Sequence, residues 1–193
     1  VNIRGLKRMA ADFAGKVPPP KCAPSTGKTV AVIGGGPGGL SAAYYLQLMG
    51  HQVTVYEMLP ELGGMLRYGI PNYRLPKDRL GEDIQAILDT GVQVKHGLRI
   101  GTDVTVQELR ASYDAVLITI GASTDKKLGI EGEDAEGVMS AVRFLRDVGK
   151  GINPDLAGQE VAIVGGGNVS MDAVRSAVRL GAKKVSILYR RRT

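Results

Sequence analysis

The sequence holds one cysteine, Cys22, in 193 residues. A single thiol excludes an internal disulfide and a C-x-x-C redox pair. With neither a second cysteine nor a histidine close by, Cys22 reads as inert rather than as a metal ligand. Tryptophan is absent, phenylalanine occurs twice, and the basic residues are scattered apart from the closing Arg190-Arg191-Arg192. The net charge of +6 therefore lacks the clustering and aromatic interleaving of a nucleic-acid surface. It reads as solvated surface plus one local anion site. No apolar run reaches the ~18 residues that would mark a membrane-spanning helix. The first residues carry no secretory pattern, so the cytoplasm is the default expectation. The two histidines, His51 and His96, fall in turns beside strands and read as surface residues.

Glycine, by contrast, is abundant at 27 residues, and 44% of the chain is hydrophobic. That is enough for a sizeable core in one large or two small domains, with the close turns of an α/β protein. The most informative stretch is Thr29 to Glu57, TVAVIGGGPGGLSAAYYLQLMGHQVTVYE. A β-branched strand, Val30 to Ile33, runs into a glycine turn. A small-residue helix, roughly Gly39 to Met49, follows. A second strand, Val53 to Tyr56, ends in Glu57. Gly34, Gly36 and Gly39 have the G-x-G-x-x-G spacing of a dinucleotide-binding βαβ unit. Gly34 permits the turn, Gly36 admits a pyrophosphate to the backbone, and Gly39 lets the helix lie close to the sheet. The helix N-terminus offers free N–H groups and a dipole that favour phosphate. Glu57, 18 residues beyond Gly39, can accept hydrogen bonds from a ribose diol.

The rest of the chain frames that unit. Val1 to Ala14 places Ile3, Leu6, Met9, Ala10 and Phe13 at helical spacing, predicting a helix that packs on something else. Pro18-Pro19-Pro20 breaks it and opens a linker to Lys28. After Glu57 comes a Gly-, Tyr- and Arg-rich loop with Pro60, Pro71 and Pro76, which exclude a continuous helix or central strand. Long ordered loops of this kind usually serve a site, the plainer alternative being a cover over the sheet end. A helix is expected over Lys77 to Thr90 and strands over Val92 to Lys95 and Leu98 to Ile100. A short helix at Val106 to Arg110 precedes a continuous buried strand, Tyr113 to Ala122. That strand can lie beside the first and bring Gly121 to the cofactor. A further helix spans Ser140 to Val148.

The opening pattern then returns. Glu160 to Val164 is a strand, Gly165-Gly166-Gly167-Asn168-Val169-Ser170 a second glycine turn, Met171 to Leu180 a helix, and Lys184 to Tyr189 a strand. Gly165 follows Gly34 by 131 residues. Ser170 takes the third glycine's place. The first unit ends in Glu57, the second in Tyr189-Arg190-Arg191-Arg192. A carboxylate suits a free ribose 2′-OH and repels a 2′-phosphate, whereas arginine suits the phosphate. The two units are therefore expected to bind different dinucleotides, the second NADP(H).

Two βαβ fingerprints, one acidic and one basic, resemble the two-dinucleotide flavoproteins. The loop LGGMLRYGIPNYRLPK (Leu62 to Lys77) and the segment GGGNVSMDAVRSAVRLGAKKVSILYRRR (Gly165 to Arg192) narrow this. Together they resemble the glutamate synthase small-subunit family, whose relatives include the flavin subunit of bifurcating transhydrogenases and part of dihydropyrimidine dehydrogenase. The resemblance implies a Rossmann-like FAD-binding domain with a parallel sheet, followed by the start of a Rossmann-like NAD(P)H-binding domain. It implies FAD at Gly34, Gly36, Pro37, Gly39, Glu57, Gly64, Met65, Arg74 and Gly121. It implies NADP(H) at Gly165, Gly167, Asn168, Val169, Arg190 and Arg191. Hydride would pass from nicotinamide to flavin, and electrons onward to a larger iron–sulfur or synthase partner. No catalytic side chain and no metal site are expected, because the protein positions two rings rather than moving a proton.

The expected divisions are residues 1–28 as helix and linker resembling the end of an iron–sulfur domain, 29–148 as an incomplete FAD-binding domain, and 149–193 as a truncated second unit. On this expectation the chain is a fragment that binds FAD weakly and oxidises NADPH poorly by itself. A non-catalytic FAD-binding subunit docked through Val1 to Ala14 remains open. A disulfide reductase of the thioredoxin-reductase kind does as well, weakened by the absent C-x-x-C pair.

Overall fold

Strand β1 (Thr29–Ile33) lies at the centre of the first sheet, and everything around it follows from its apolar content. The computed structural model describes residues 1–15 and 17–190. β1 is buried from Val30 onward and is flanked by parallel partners on both edges: β2 (Gln52–Glu57) and β4 (Ala115–Ile118). β3 (Gln93–His96) pairs parallel with β2, giving the order β3-β2-β1-β4. Helices connect parallel strands, as the geometry of parallel pairing requires. α2 (Pro37–Leu48) links β1 to β2, α4 (Lys77–Leu88) precedes β3, and α5 (Val106–Ser112) precedes β4.

Both faces of the sheet are covered. On one, Val30, Val32, Val53 and Val55 meet Leu40 and Ala43 of α2 and Leu80 and Ile84 of α4. On the other, Ala31, Ile33 and Tyr56 meet Leu109 of α5. Alternate residues of one strand thus serve opposite cores, the period-two pattern of a doubly covered strand. Asp114 clips the start of β1 to the start of β4. Its carboxylate accepts from Lys28 Nζ (2.8 Å), the Thr29 N–H (2.9 Å) and Thr29 Oγ1 (3.1 Å). These donors, Lys28 first, hold its pKa down at about 2.

A second, smaller sheet contains β5 (Glu160–Val164) and β6 (Lys184–Leu188), parallel and joined by α7 (Asn168–Arg179). α6 (Ala141–Gly149) packs against α7 through Phe144 and Leu145, beside Ile163, Ala173 and Ala177. The α/β fold with parallel sheets is as expected from the sequence.

Two expectations change. The strand read over Tyr113 to Ala122 is regular only over four residues, and it is not buried: Ile118 and Ile120 are 61% and 70% exposed. β4 is the edge of its sheet, so its outer side has no neighbour among the described residues. Leu98 to Ile100 forms no strand, only an isolated bridge from Ile100 to Val104. The loop after Glu57 contains a helical turn, α3 (Met65–Tyr68), between two glycines. Helix α1 (Ile3–Ala14) forms as expected, capped by the Asn2 side chain on the Gly5 N–H, but none of its residues is buried. Among the described residues, no helix is long and apolar enough to cross a membrane.

Candidate functional site

The first glycine turn sits where β1 leaves the sheet. The Gly34 N–H donates to the Tyr56 carbonyl at 2.8 Å, so the turn begins in register with β2. A Cβ on Gly39 would stand 1.8 Å from the Gly34 carbonyl oxygen, an overlap that no rotamer could relieve. Only glycine at that position lets α2 approach β1. Pro37 is the first residue of α2, after the Gly36 cap, where its missing N–H costs nothing. No side chain caps this end, so the N–H groups of the first turn point out of the helix unsatisfied. These are donors for an anion.

Glu57 closes the turn from the other side. Oε2 accepts from the Gly35 N–H and Oε1 from the Leu59 N–H, both at 2.7 Å, and the residue is 5% exposed. Each oxygen retains a second lone pair, so the carboxylate can hold the turn and still accept from a ribose hydroxyl.

A cleft of about 710 Å³ opens over this arrangement, and its wall includes Gly34, Gly36, Glu57, Gly64, Met65 and Gly121. The structure therefore brings together, from four separate segments, the first-unit residues singled out in the sequence. Gly64 approaches the turn so closely that a Cβ on it would stand 2.8 Å from the Gly36 Cα. Gly39 lies beneath the turn rather than in the cleft wall. The Arg74 guanidinium lies on Asp172 of α7, at 3.0 Å, outside the cleft wall.

Sequence reading missed Arg99 and Arg146, which do line the cleft. Arg146 Nη2 donates to the Ser123 carbonyl at 2.8 Å. Neither arginine belongs to a motif, and only the tertiary fold gives them a common address. A second hollow, of about 540 Å³, shares only Tyr56 with the cleft. It borders the hydrogen-bonded Tyr56–Tyr113 pair, whose hydroxyls are 3.0 Å apart, and lies away from the glycine turn.

The second glycine turn repeats the first. The Gly165 N–H donates to the Leu188 carbonyl at 2.9 Å, as Gly34 does to Tyr56. Gly167 caps α7 without a side-chain hydrogen bond, and Asn168 and Val169 open the helix. Ser170 replaces the third glycine and is buried. The strand registers Ile33↔Tyr56 and Val164↔Leu188 make Tyr189 the counterpart of Glu57. Arg190 is thus one place further on, and exposed. Arg191 lies outside the described residues.

The two turns are joined by the Leu62 to Lys77 loop. Tyr73 OH donates to Asp172 Oδ1 at 3.3 Å beside the Arg74–Asp172 pair, and Arg179 lies over the Tyr73 ring, 4.1 Å from its centre. Asp172 is 4% exposed, and Arg74 and Tyr73 are its partners. Lys77 Nζ donates back to the Leu66 carbonyl at 2.7 Å, and burial lowers its pKa.

A parallel α/β sheet, a glycine turn at a helix N-terminus and a strand-end carboxylate define a dinucleotide-binding domain. Residues 28–193 match the model of the pyridine nucleotide-disulphide oxidoreductase family, and the chain belongs to that family. The single cysteine leaves the disulphide in that name without a residue pair in these 193 residues.

The chain is 45% identical over 98% of its length to the NADP(+)-dependent formate dehydrogenase subunit beta of Moorella thermoacetica, covering 30% of that protein. It is 44% identical over 99% of its length to the NADPH-Fe(3+) oxidoreductase subunit beta of Geobacter sulfurreducens, again covering 30%. It is 36% identical over 99% of its length to the glutamate synthase [NADPH] small chain of Escherichia coli, covering 43%. The resemblance to the glutamate synthase small subunit is therefore borne out, and the chain spans between 30% and 43% of the length of these relatives. Among solved structures, FprA of Mycobacterium tuberculosis in complex with NADPH is 26% identical, with a TM-score of 0.72 over 88% of this chain and 44% of that one.

Proposed function

We propose that the chain is the electron-input part of an NADPH-dependent flavin oxidoreductase, with FAD in the first cleft and NADP(H) at the second glycine turn. The observation that carries this reading is the pair of equivalent turns with unlike closures, Glu57 in one and Tyr189-Arg190 in the other. Membership of a pyridine-nucleotide family and the likeness to a protein solved with NADPH support it. The residues around the cleft fit the flavin nucleotide. The backbone N–H groups of Gly36 and Gly38 and the α2 dipole would hold the pyrophosphate. Glu57 would accept from the adenosine ribose, and Gly64, Met65 and Gly121 would leave the cleft open for the rest of the molecule. When bound, flavin supplies hydride acceptance from a nicotinamide and onward release of electrons. The chain's own part is to bind, orient and exclude water. No proton is assigned to a side chain.

The relatives named as beta subunits or small chains favour a larger partner, an iron–sulfur or synthase subunit that takes the electrons. In this reading residues 1–28 are a lead-in, 29–148 the flavin unit and 149–193 part of the nicotinamide unit. Helix α1, with no residue buried, leaves an apolar face on which a purely structural, non-catalytic role for the chain could rest. Titration of the chain with FAD, then with NADPH and NADH, tests the proposal. Saturable FAD binding together with tighter binding of NADPH than of NADH is the expected result. No FAD binding would contradict it, and FAD binding with no affinity for either nicotinamide nucleotide would favour the structural role.

A further inference from the structure

We propose that the second hollow is a binding site for a small organic carboxylate, held by the Lys95 ammonium and the Tyr113 hydroxyl. The site is separate from both glycine turns and does not depend on which dinucleotides those turns take.

The hollow follows from how little of its sheet α5 covers. Thr54 and Tyr56 of β2 share one face, and the pairing of β2 with β3 sets Gln93 beside Thr54 and Lys95 beside Tyr56. α5 is seven residues long, and its Leu109 meets this face at Ala31, Ile33 and Tyr56. The end at which Thr29, Gln52 and Gln93 begin their strands stays open. What remains is a recess of about 540 Å³ at the opposite end of the sheet from the glycine turn. Thr54 and Tyr56, which line it, are buried.

The polar groups of the recess have more protons to give than oxygens to take them. Lys95 Nζ, which can only donate, gives one to Tyr56 OH at 3.3 Å. Tyr56 OH then donates to Tyr113 OH at 3.0 Å. The Tyr113 oxygen also accepts from the Thr54 hydroxyl. Its own proton is therefore unspent, as are two on Lys95. Burial acts against ionisation of Tyr113, but the hydrogen bonds from Thr54 and Tyr56 and the Lys95 charge outweigh it and lower the pKa. A more acidic hydroxyl is a stronger donor to an anion. Among the described residues, no acidic side chain lines the recess, and Lys95 meets two phenols rather than a carboxylate.

The charge count selects the class of ligand. One cation and neutral donors match a single negative charge, whereas a phosphate dianion would bring a second charge with no partner. A recess of this volume, walled in part by the rings of Tyr56 and Tyr113, suits an organic body rather than a bare ion.

Calorimetric titration of the chain with benzoate, benzamide and inorganic phosphate tests the assignment. Benzoate is expected to bind saturably, and its neutral isostere benzamide about tenfold more weakly or less well still, since only the carboxylate forms charge-assisted hydrogen bonds. Lys95→Gln removes the charge at an exposed position and should weaken benzoate by roughly tenfold. Tyr113→Phe removes the unspent proton and should weaken it by about tenfold as well. Should either variant fail to fold by circular dichroism, the comparison of benzoate with benzamide still decides. Absence of saturable benzoate binding, equal binding of benzamide, or an affinity unchanged in Lys95→Gln overturns the proposal. Phosphate that binds more tightly than benzoate, and is lost with Lys95→Gln, overturns the choice of a carboxylate.

Discussion

Glu57 and Asp114 show how differently two carboxylates work in one sheet. Glu57 is buried and accepts two backbone N–H groups that have no other partner near the turn. Glu57→Ala strands both donors, at a cost of about 2 kcal/mol of stability measured by urea unfolding. Asp114 is a surface clamp. Its pKa is held down at about 2 by Lys28 and Thr29, from an ordinary value of 3.8. A depressed folded-state pKa means that its contribution is fully present above the ordinary value and disappears as pH falls through about 2. Asp114→Asn is therefore expected to lower the thermal midpoint at neutral pH. The gap to the unmodified chain should narrow below pH ~4 and close near pH ~2. A gap that does not vary with pH would remove the ionic part of this account. At this scale the sequence was informative where a residue belonged to a spacing. Gly34, Gly36, Gly39 and Glu57 could be read because a phosphate-binding turn needs them at fixed offsets. Arg99 and Arg146 could not, since each is an ordinary surface cation until the fold brings it to the cleft. The spacing alone leaves open which residue of Tyr189-Arg190-Arg191-Arg192 answers to Glu57, and the strand pairing shows that Tyr189 does.

Among the elements, the Leu62 to Lys77 loop joins the two units. Its Tyr73 and Arg74 are anchored on Asp172, which is buried, while the Arg74 side chain is 39% exposed. Asp172→Ala should cost about 1–3 kcal/mol, less than the loss of a fully buried pair, because water can reach the arginine left behind. Trypsin provides a local readout, with faster cleavage after Arg74 and Lys77 expected in the variant. The period-two and helical patterns predicted nearly every element, because β1, β2, α2 and α4 share one core and their apolar residues face it. The same logic failed for β4. Its run of Val116 to Ile118 has the composition of a buried strand, yet the structure makes it an edge. Composition reports what a strand is suited to meet, not what lies beside it.

At the scale of the whole molecule, the chain repeats one idea with two endings. Both sheets present a glycine turn at the start of a helix, and both turns are closed from the end of the next strand. The first closure offers acceptors, the second a ring and a cation. In the proposed function these are two separable sites for two different dinucleotides. Equilibrium binding of FAD and of NADPH to the unmodified chain and to Glu57→Ala tests that claim most directly. The variant is expected to lose FAD affinity by about tenfold or more, because one carboxylate serves both the turn and the ribose. Its NADPH affinity should stay within about twofold. Equal losses for both ligands, or no loss of FAD affinity, would contradict the account.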